Sequence, residues 1–351
     1  MRILHIITSL ELGGAEKLLG DLIPAQKKQG EDVELLVLDM KDEVFLESFL
    51  KRGIKVHKTE VNNKKSYKNI FEIIKILKKE NYDVVHSHLI HSQIWTALAK
   101  KIGSRKELFV TTEHSTSNRR REKQIFKLLD KFIYGAYEKI IAISEGTAES
   151  LIRWIKIDLR KIEIIPNGVP LREFMSKARY RQGDKLIMIS RFHPSKDHVT
   201  VLRALDKLPK NYTLTFIGEG ETEDKVKREA TMLKLGDRVQ FLGYSNSVKA
   251  HLKRHDIAIQ SSNFEGFGIS ALEAMASGTP IIASNVTGLS EIVDGAGLVF
   301  EKGNEVDLVD KILLLEDKEY YYEKSKDGIK RSLLYSIENT ARKYIALYKG
   351  E

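Results

Sequence analysis

Short β-branched and aliphatic runs alternate along this chain with longer segments whose apolar residues recur every three to four positions. A short apolar run bounded by turn residues marks a strand, and a 3.6-residue period marks a helix. In the first half, strands are predicted at 2–8 (RILHIIT), 33–38 (VELLVL), 54–57, 83–87 (DVVHS), 108–112, 139–143 (KIIAI) and 162–165 (IEII). Helices are predicted from the Gly13-Gly14 step to about Gln29, with Gly30 as the stop, then over 43–52, 67–80, 91–101, around 121–137 and over 145–155. Pro166-Asn167-Gly168-Val169-Pro170 and the polar stretch Ser176–Asp184 read as a linker. The alternation then resumes, with strands at 185–190, 212–217, 238–242, 256–259, 280–283 and 297–300. The helices of this half are predicted at 197–208, 220–235, 246–253, 269–277 and 289–293, then near 304–316, 317–329 and 333–348.

Strands separated by helices of this length require crossover connections, hence parallel sheets covered on both faces. The fold class is α/β, with two doubly wound domains facing across a cleft. Such sheets bind ligands beyond the carboxyl ends of their strands. A length of 351 residues agrees with two domains.

Composition narrows the chemistry. With 42% apolar and 30% charged residues, the chain is globular rather than disordered. It has no cysteine, which excludes disulfides, thiolate metal sites, iron–sulfur clusters and a cysteine nucleophile. No apolar run approaches the ~18 residues needed to cross a bilayer. Glu11, Glu16 and Asp21 interrupt the first thirty residues, which therefore do not read as a signal peptide, so a cytoplasmic location is expected. The net charge of +9 is uneven, because residues 51–131 hold 20 basic and 8 acidic side chains. A nucleic acid, an anionic membrane, a phosphorylated substrate or a plain solvated lysine face would each account for this surplus. No zinc finger, helix-turn-helix or RNA-binding sheet signature supports the nucleic acid.

Four constellations carry candidate chemistry. Gly13-Gly14-Ala15-Glu16 lies between the first strand and first helix, where glycines admit a close ligand and a helix start suits phosphate. It lacks the full G-x-G-x-x-G of a dinucleotide site. His86, His88 and His114 sit at strand ends, and His91 opens the following helix. His-x-His can bind metal, but the sequence places no third ligand, and none is expected. Ser190-Arg191-Phe192-His193-Pro194-Ser195-Lys196 sets two cations at a strand end, suited to a diphosphate. The richest segment runs from Ser261 to Pro280. It puts Glu265 in a glycine-flanked loop (Gly266, Phe267, Gly268, Ile269) and Glu273 inside the next helix. Two such carboxylates can hold different hydroxyls of one ligand.

The ordered motifs resemble glycosyltransferase family 4, the group 1 glycosyltransferases of GT-B architecture. The resemblance spans nearly the whole chain: Gly13-Gly14-Ala15-Glu16, Pro166-Asn167-Gly168, Gly218-Glu219-Gly220, Phe241-Leu242-Gly243, the Glu265–Glu273 pair and GTPIIAS occur in the family's order. Ser190-Arg191-Phe192 departs from the more usual Gly-Arg-Leu type but keeps the arginine.

The resemblance implies a retaining transferase that moves a sugar from a nucleotide-sugar donor, a UDP-sugar before GDP-mannose, without a metal or other cofactor. The acceptor would be a glycan or lipid-linked molecule of surface polysaccharide or glycolipid biosynthesis. By the same analogy residues 1–168 form a Rossmann-like acceptor domain, 169–332 a Rossmann-like donor domain, and 333–351 a helix returning to the first. Arg191 and Lys196 would neutralise the diphosphate, Glu273 the ribose hydroxyls, and Glu265 the donor sugar. Gly13, Gly14, Gly218, Gly266, Phe267, Gly268 and Ile269 would border the donor. His114 would face the reaction centre, with Ser144 and Glu145 also toward the cleft, and His86, His88, Arg119 and Arg120 on the acceptor side. The basic and apolar segment from Arg119 to Ile133 has two readings: it packs its apolar side onto its own sheet, or it lies on an anionic membrane, which would hold the enzyme peripherally on the inner face of the plasma membrane. A nucleotide-sugar 2-epimerase of the same architecture is the alternative.

Overall fold

In the computed structural model, the described residues of 1–168 supply seven strands: β1 (Arg2–Ser9), β2 (Asp32–Asp39), β3 (Lys55–Lys58), β4 (Val84–His88), β5 (Leu108–Glu113), β6 (Lys139–Ala142) and β7 (Ile162–Ile164). They form one parallel sheet in the order β3-β2-β1-β4-β5-β6-β7. Helices α1 (Gly14–Lys28), α2 (Leu46–Lys51), α3 (Asn69–Lys79), α4 (Ile90–Gly103), α5 (Phe126–Gly135) and α6 (Glu145–Ile155) make the crossovers. The structure describes residues 1–11, 13–40, 45–103, 106–114, 123–181, 183–245, 247–265 and 267–351.

The side chains of β1 divide by the two-residue period of a strand. Ile3 and Ile7 enter a core with Leu18, Leu22 and Ile23 of α1, while Leu4 and Ile6 enter a second core with Ile73 of α3 and Ala97 of α4. Burial on both faces explains why the strand reads as a continuous apolar run. Helix α1 contains Pro24, which has no N–H to give to the Gly20 carbonyl one turn earlier. Arg52 Nη1 donates to that carbonyl at 2.6 Å instead.

Residues 169–336 form a second compact unit. Its strands are β8 (Lys185–Ile189), β9 (Thr213–Ile217), β10 (Val239–Phe241), β11 (Ile257–Gln260), β12 (Ile281–Ser284) and β13 (Leu298–Phe300). All are parallel, in the order β10-β9-β8-β11-β12-β13. Its helices are α7 (His198–Lys207), α8 (Glu223–Met232), α9 (Val248–Leu252), α10 (Ile269–Ala276), α11 (Ser290–Val293), α12 (Glu305–Leu314) and α13 (Lys318–Leu333). Helix α8 starts three residues later than its periodicity predicts, because the preceding loop is held against the end of β8. Helix α13 continues four residues beyond its predicted stop, with Ser325, Gly328 and Ser332 buried along one side.

The last helix, α14 (Ile337–Lys349), belongs to the first unit. Ile337, Ala341, Tyr344 and Tyr348 recur at helical spacing and enter the core formed by β1 and α1. Thr340 Oγ1 donates to the Pro166 carbonyl at 3.2 Å. At Gly168 the backbone passes so near this helix that a Cβ would lie 2.6 Å from the Ile337 Cα and 2.7 Å from Thr340 Oγ1. Gly168→Ala is therefore expected to cost about 1–3 kcal/mol. The measurement is the urea midpoint, and an unchanged value would refute the close approach.

Candidate functional site

In the second unit the predicted residues gather at the carboxyl ends of β8, β9 and β11. Ser190 N donates to the Ile217 carbonyl at 3.0 Å, and Phe192 N donates to the Glu219 carbonyl at 3.0 Å, so the two loops run against each other. A Cβ at Gly218 (φ +138°) would lie 2.0 Å from the Ser190 oxygen, and one at Gly220 (φ +153°) 2.3 Å from the Phe192 oxygen. Only glycine fits either position. Phe192 is buried and stacks on His198, with ring centroids 4.2 Å apart, while Ser190 Oγ bonds the His198 Nε2 at 3.0 Å. Anchoring residues 190 and 192 inward turns Arg191 outward, where it is exposed. The Phe that departs from the family pattern is thus the plug of this loop.

Lys196 and Glu265 form an ion pair, with side chains 15% and 14% exposed. Lys196 Nζ also reaches Ser262 Oγ at 3.3 Å, and Gln260 Nε2 donates to Glu265 Oε2 at 3.3 Å. The backbones of Lys196 and Ser262 form an isolated bridge that holds the pair in register. A cation and a carboxylate assigned to different parts of a donor therefore touch each other. Gly268 has φ +64° and caps α10, where a Cβ would lie 2.8 Å from Leu289 Cδ1. Ile269 opens that helix, and Glu273 is half-buried on it between the buried Leu272 and Ala274. Phe267 packs edge-on against Tyr335 at 6.0 Å. Gly266 lies outside the described residues.

In the first unit a cavity of about 310 Å³ is lined by Thr8, Ser9, Glu11, Glu16, Lys64, Leu89, Ile90, His91, Gln93, Thr112, Glu113 and His114. Glu16 folds back over Gly13, so a Cβ there would lie 2.3 Å from its Oε2, whereas Gly14 faces open space. Burial raises the Glu16 pKa above its ordinary value. Lys64 pairs with Glu11 at 2.9 Å. Ser144 serves as the N-cap of α6, accepting from Thr147 N at 3.2 Å.

Behind the cavity the histidines form a cluster. Parallel pairing sets His5 of β1 beside His86 of β4, and His88 beside Thr112 of β5. His86 is fully buried, with Nδ1 bonded to Tyr348 OH at 2.6 Å and Nε2 to Thr112 Oγ1 at 2.8 Å. His88 is equally buried, bonded to His5 Nδ1 at 2.9 Å and His114 Nε2 at 3.1 Å. The expectation that His86 and His88 contact the acceptor is corrected here. They are interior residues of a central strand, His86 covered by Tyr344 and Tyr348 of α14 and His88 surrounded by His5, His86 and His114, and of the three predicted histidines only His114 lines the cavity. Arg119 and Arg120 lie outside the described residues.

Sequence reasoning missed His5, although a histidine within the apolar run of β1 was the available signal. His5, His86 and His88 bring ligand nitrogens within 4.8 Å of one another, which supplies the third ligand that the sequence did not place. All six of their ring nitrogens are nevertheless engaged in hydrogen bonds.

Comparisons with known proteins agree with this picture. Residues 12–173 match the family model Glycosyltransferase Family 4, and residues 172–332 match Glycosyl transferases group 1. The two matches together run from residue 12 to residue 332, so the chain belongs to the group 1 glycosyltransferases of family 4. It is 27% identical over 245 residues to the Escherichia coli UDP-Gal:alpha-D-GlcNAc-diphosphoundecaprenol alpha-1,3-galactosyltransferase, spanning 64% of this chain and 63% of that protein. It is 26% identical to the O-antigen biosynthesis glycosyltransferase WbnH of Escherichia coli over 98% of both chains. In structure it resembles Anabaena HepE, solved in complex with UDP, with TM-score 0.82, 18% identity and full coverage of both chains. That likeness establishes the GT-B fold.

Burial depresses the histidine pKa values: His5 and His114 are pushed down to about 4, and His86 and His88 well below the ordinary value. The folded rings stay neutral while the unfolded ones gain protons near pH 6.5, and each unit of difference is worth about 1.4 kcal/mol. Their stabilising contribution is full above pH 6.5 and is lost as the pH falls through about 4. Urea midpoints should drop between pH 7.5 and pH 5, and a flat profile would contradict the buried neutral cluster.

Proposed function

We propose that the protein is a retaining glycosyltransferase that uses a nucleotide-sugar donor, a UDP-sugar first, in the synthesis of a surface polysaccharide or glycolipid. The observation that carries this reading is the Lys196–Glu265 ion pair beyond the strand ends of the second unit, with Arg191 exposed in the same loop as Lys196 and Glu273 on the helix that follows Glu265. Exposed Arg191 offers a planar fork to a phosphate. Lys196 is a second cation beside it in the loop, and exchanging part of its bond to Glu265 for a phosphate oxygen would leave that carboxylate for a sugar hydroxyl. Two fixed cations stabilise a departing diphosphate without a metal. Glu273, on the helix that follows Glu265, would hold the ribose hydroxyls. The donor preference draws support from the UDP named for the galactosyltransferase and HepE.

The acceptor is proposed to be lipid-linked. The Escherichia coli relative is named for a diphosphoundecaprenol acceptor, as is a Campylobacter jejuni relative 25% identical over 97% of this chain. Helix α5 supports the accompanying membrane contact. Its inner side is anchored by Ile133, Tyr134 and the bond from Trp154 Nε1 to Asp130 at 2.9 Å. Its outer side leaves Leu128 79%, Leu129 41% and Phe132 43% exposed, with Ile125 at 80% just before it. Lys123 and Lys131 are exposed among them. Phe126 packs on the core instead. Among the described residues no helix is long and apolar enough to cross a membrane, so the contact proposed is peripheral.

Arg191→Ala and Glu273→Ala are expected to lower transfer from the UDP-sugar about ten-fold or more while leaving the thermal midpoint of the free protein unchanged, since each removes a charge-assisted contact outside the core. Activity should persist in EDTA. Wild-type turnover by either variant, or a metal-reversible loss in EDTA, would overturn the assigned roles. Conversion of the nucleotide sugar in the absence of acceptor would mark an isomerase.

For the membrane contact, the protein should sediment with anionic vesicles at low salt and be released towards about 0.5 M salt. Leu128→Glu with Phe132→Glu should weaken binding, as should glutamate at Arg119, Arg120 and Arg121. Equal recovery in the supernatant with neutral and anionic vesicles would remove the membrane contact.

A further inference from the structure

Gln26, His5, His88 and His114 form one hydrogen-bonded chain across α1, β1, β4 and the end of β5. Gln26 Oε1 meets His5 Nε2 at 2.9 Å, His5 Nδ1 meets His88 Nε2 at 2.9 Å, and His88 Nδ1 meets His114 Nε2 at 3.1 Å. Of the eight ring nitrogens of His5, His86, His88 and His114, seven have partners, and His114 Nδ1 alone has none. It is a buried atom on a ring that lines the cavity.

The chain has a direction. A carbonyl oxygen only accepts, so His5 must carry its proton on Nε2. A neutral ring has one N–H, so His5 Nδ1 is an acceptor and His88 must protonate Nε2. The same step at His88 makes its Nδ1 the acceptor and places the His114 proton on Nε2. His114 Nδ1 is left with a bare lone pair. Because the far end is an amide, which neither takes up nor releases a proton near neutral pH, the chain does not deliver protons to a distant acceptor. It sets a tautomer.

We propose that Gln26, His5 and His88 are positioning residues that lock His114 as its Nε2–H tautomer, so that Nδ1 accepts a hydrogen bond from a hydroxyl of a polyol substrate in the cavity. The identity of that substrate as a sugar rests on the transferase reading above; the tautomer does not. Neutral rings are required throughout, and burial supplies them. Thr8, Ser9, Glu16 and Gln93 give the cavity further hydroxyl-binding groups.

The test is long-range proton–nitrogen NMR on the full-length protein labelled with ¹⁵N-histidine, with the His114 ring assigned by its loss in His114→Phe. The lock requires a protonated Nε2 and a bare Nδ1 at His114, unchanged from pH 8 to pH 5.5. A protonated Nδ1, or a ring that titrates near pH 6.5, overturns it. Gln26→Leu removes the directing acceptor and should give a mixture of His114 tautomers, whereas Gln26→Glu keeps an acceptor oxygen there and should retain the wild-type one. An unchanged His114 spectrum in a folded Gln26→Leu protein overturns the proposal, and the wild-type spectrum decides it if that variant does not fold. In transfer assays Gln26→Leu should lower kcat/KM about five-fold with UDP affinity unchanged, and Gln26→Glu should recover most of it. Equal kcat/KM in an active Gln26→Leu enzyme counts against the lock. A protein inactive with every nucleotide sugar sinks the transferase reading and leaves the spectra to decide the tautomer.

Discussion

A parallel strand covered by helices on both faces keeps its side chains away from water along nearly its whole length. In both sheets of this protein that burial confines exposed chemistry to the carboxyl ends, where the chain leaves the sheet and helices begin. Arg191, Lys196 and Glu265 follow strand ends in one unit. His114 follows one in the other. Helix starts at these ends supply unpaired N–H groups, and the loops between are short enough to be fixed by a few backbone contacts. The Gly218 and Gly220 approach to Ser190 and Phe192 is such a contact. It fixes the backbone on both sides of Arg191 and so determines where that side chain points.

The same burial constrains any polar side chain that remains inside. His5 and His86 lie in the middle of the first sheet, so every ring nitrogen needs a partner. The partners come from distant parts of the chain: Gln26 on α1, Thr112 on β5 and Tyr348 on α14. Helix α14 is therefore more than an apolar cover. Its Tyr348 hydroxyl satisfies His86, and its Tyr344 hydroxyl lies 3.3 Å from Thr112 Oγ1. A polar network buried at this depth is stabilising only while its members are neutral and paired, which ties the first unit's stability to pH.

Helix α5 shows how one segment divides between two environments. Its apolar residues exceed what one buried side can hold, so Ile133 and Tyr134 turn inward and Leu128 and Phe132 remain outside. Periodicity alone does not reveal this split, because both sides are apolar. Lys101 Nζ lies 3.5 Å from the Phe132 ring centroid, placing a cation from α4 over the exposed aromatic.

Most element boundaries were legible in the sequence, because strand runs and helical periods are local properties bounded by glycine, proline and capping residues. The Arg191–Lys196 turn and the Glu265–Glu273 pair were legible for the same reason, since each is a compact motif at a strand end. What tertiary structure alone decided is how separated segments meet. Lys196 and Glu265 lie 69 positions apart, and the sheet register brings them into one ion pair. His86 and His88 had the sequence signature of a ligand-facing pair, and the central place of β4, with α14 over His86 and the other histidines around His88, made them interior. His5, on a strand that looked purely apolar in role, became the link that joins Gln26 to the cavity. Local pattern specifies which elements form, because hydrogen bonding and side-chain period act within a few residues. Which face of a strand end meets water depends on the strand order and on a helix more than 200 positions away, and neither is written in the neighbourhood of the residue concerned.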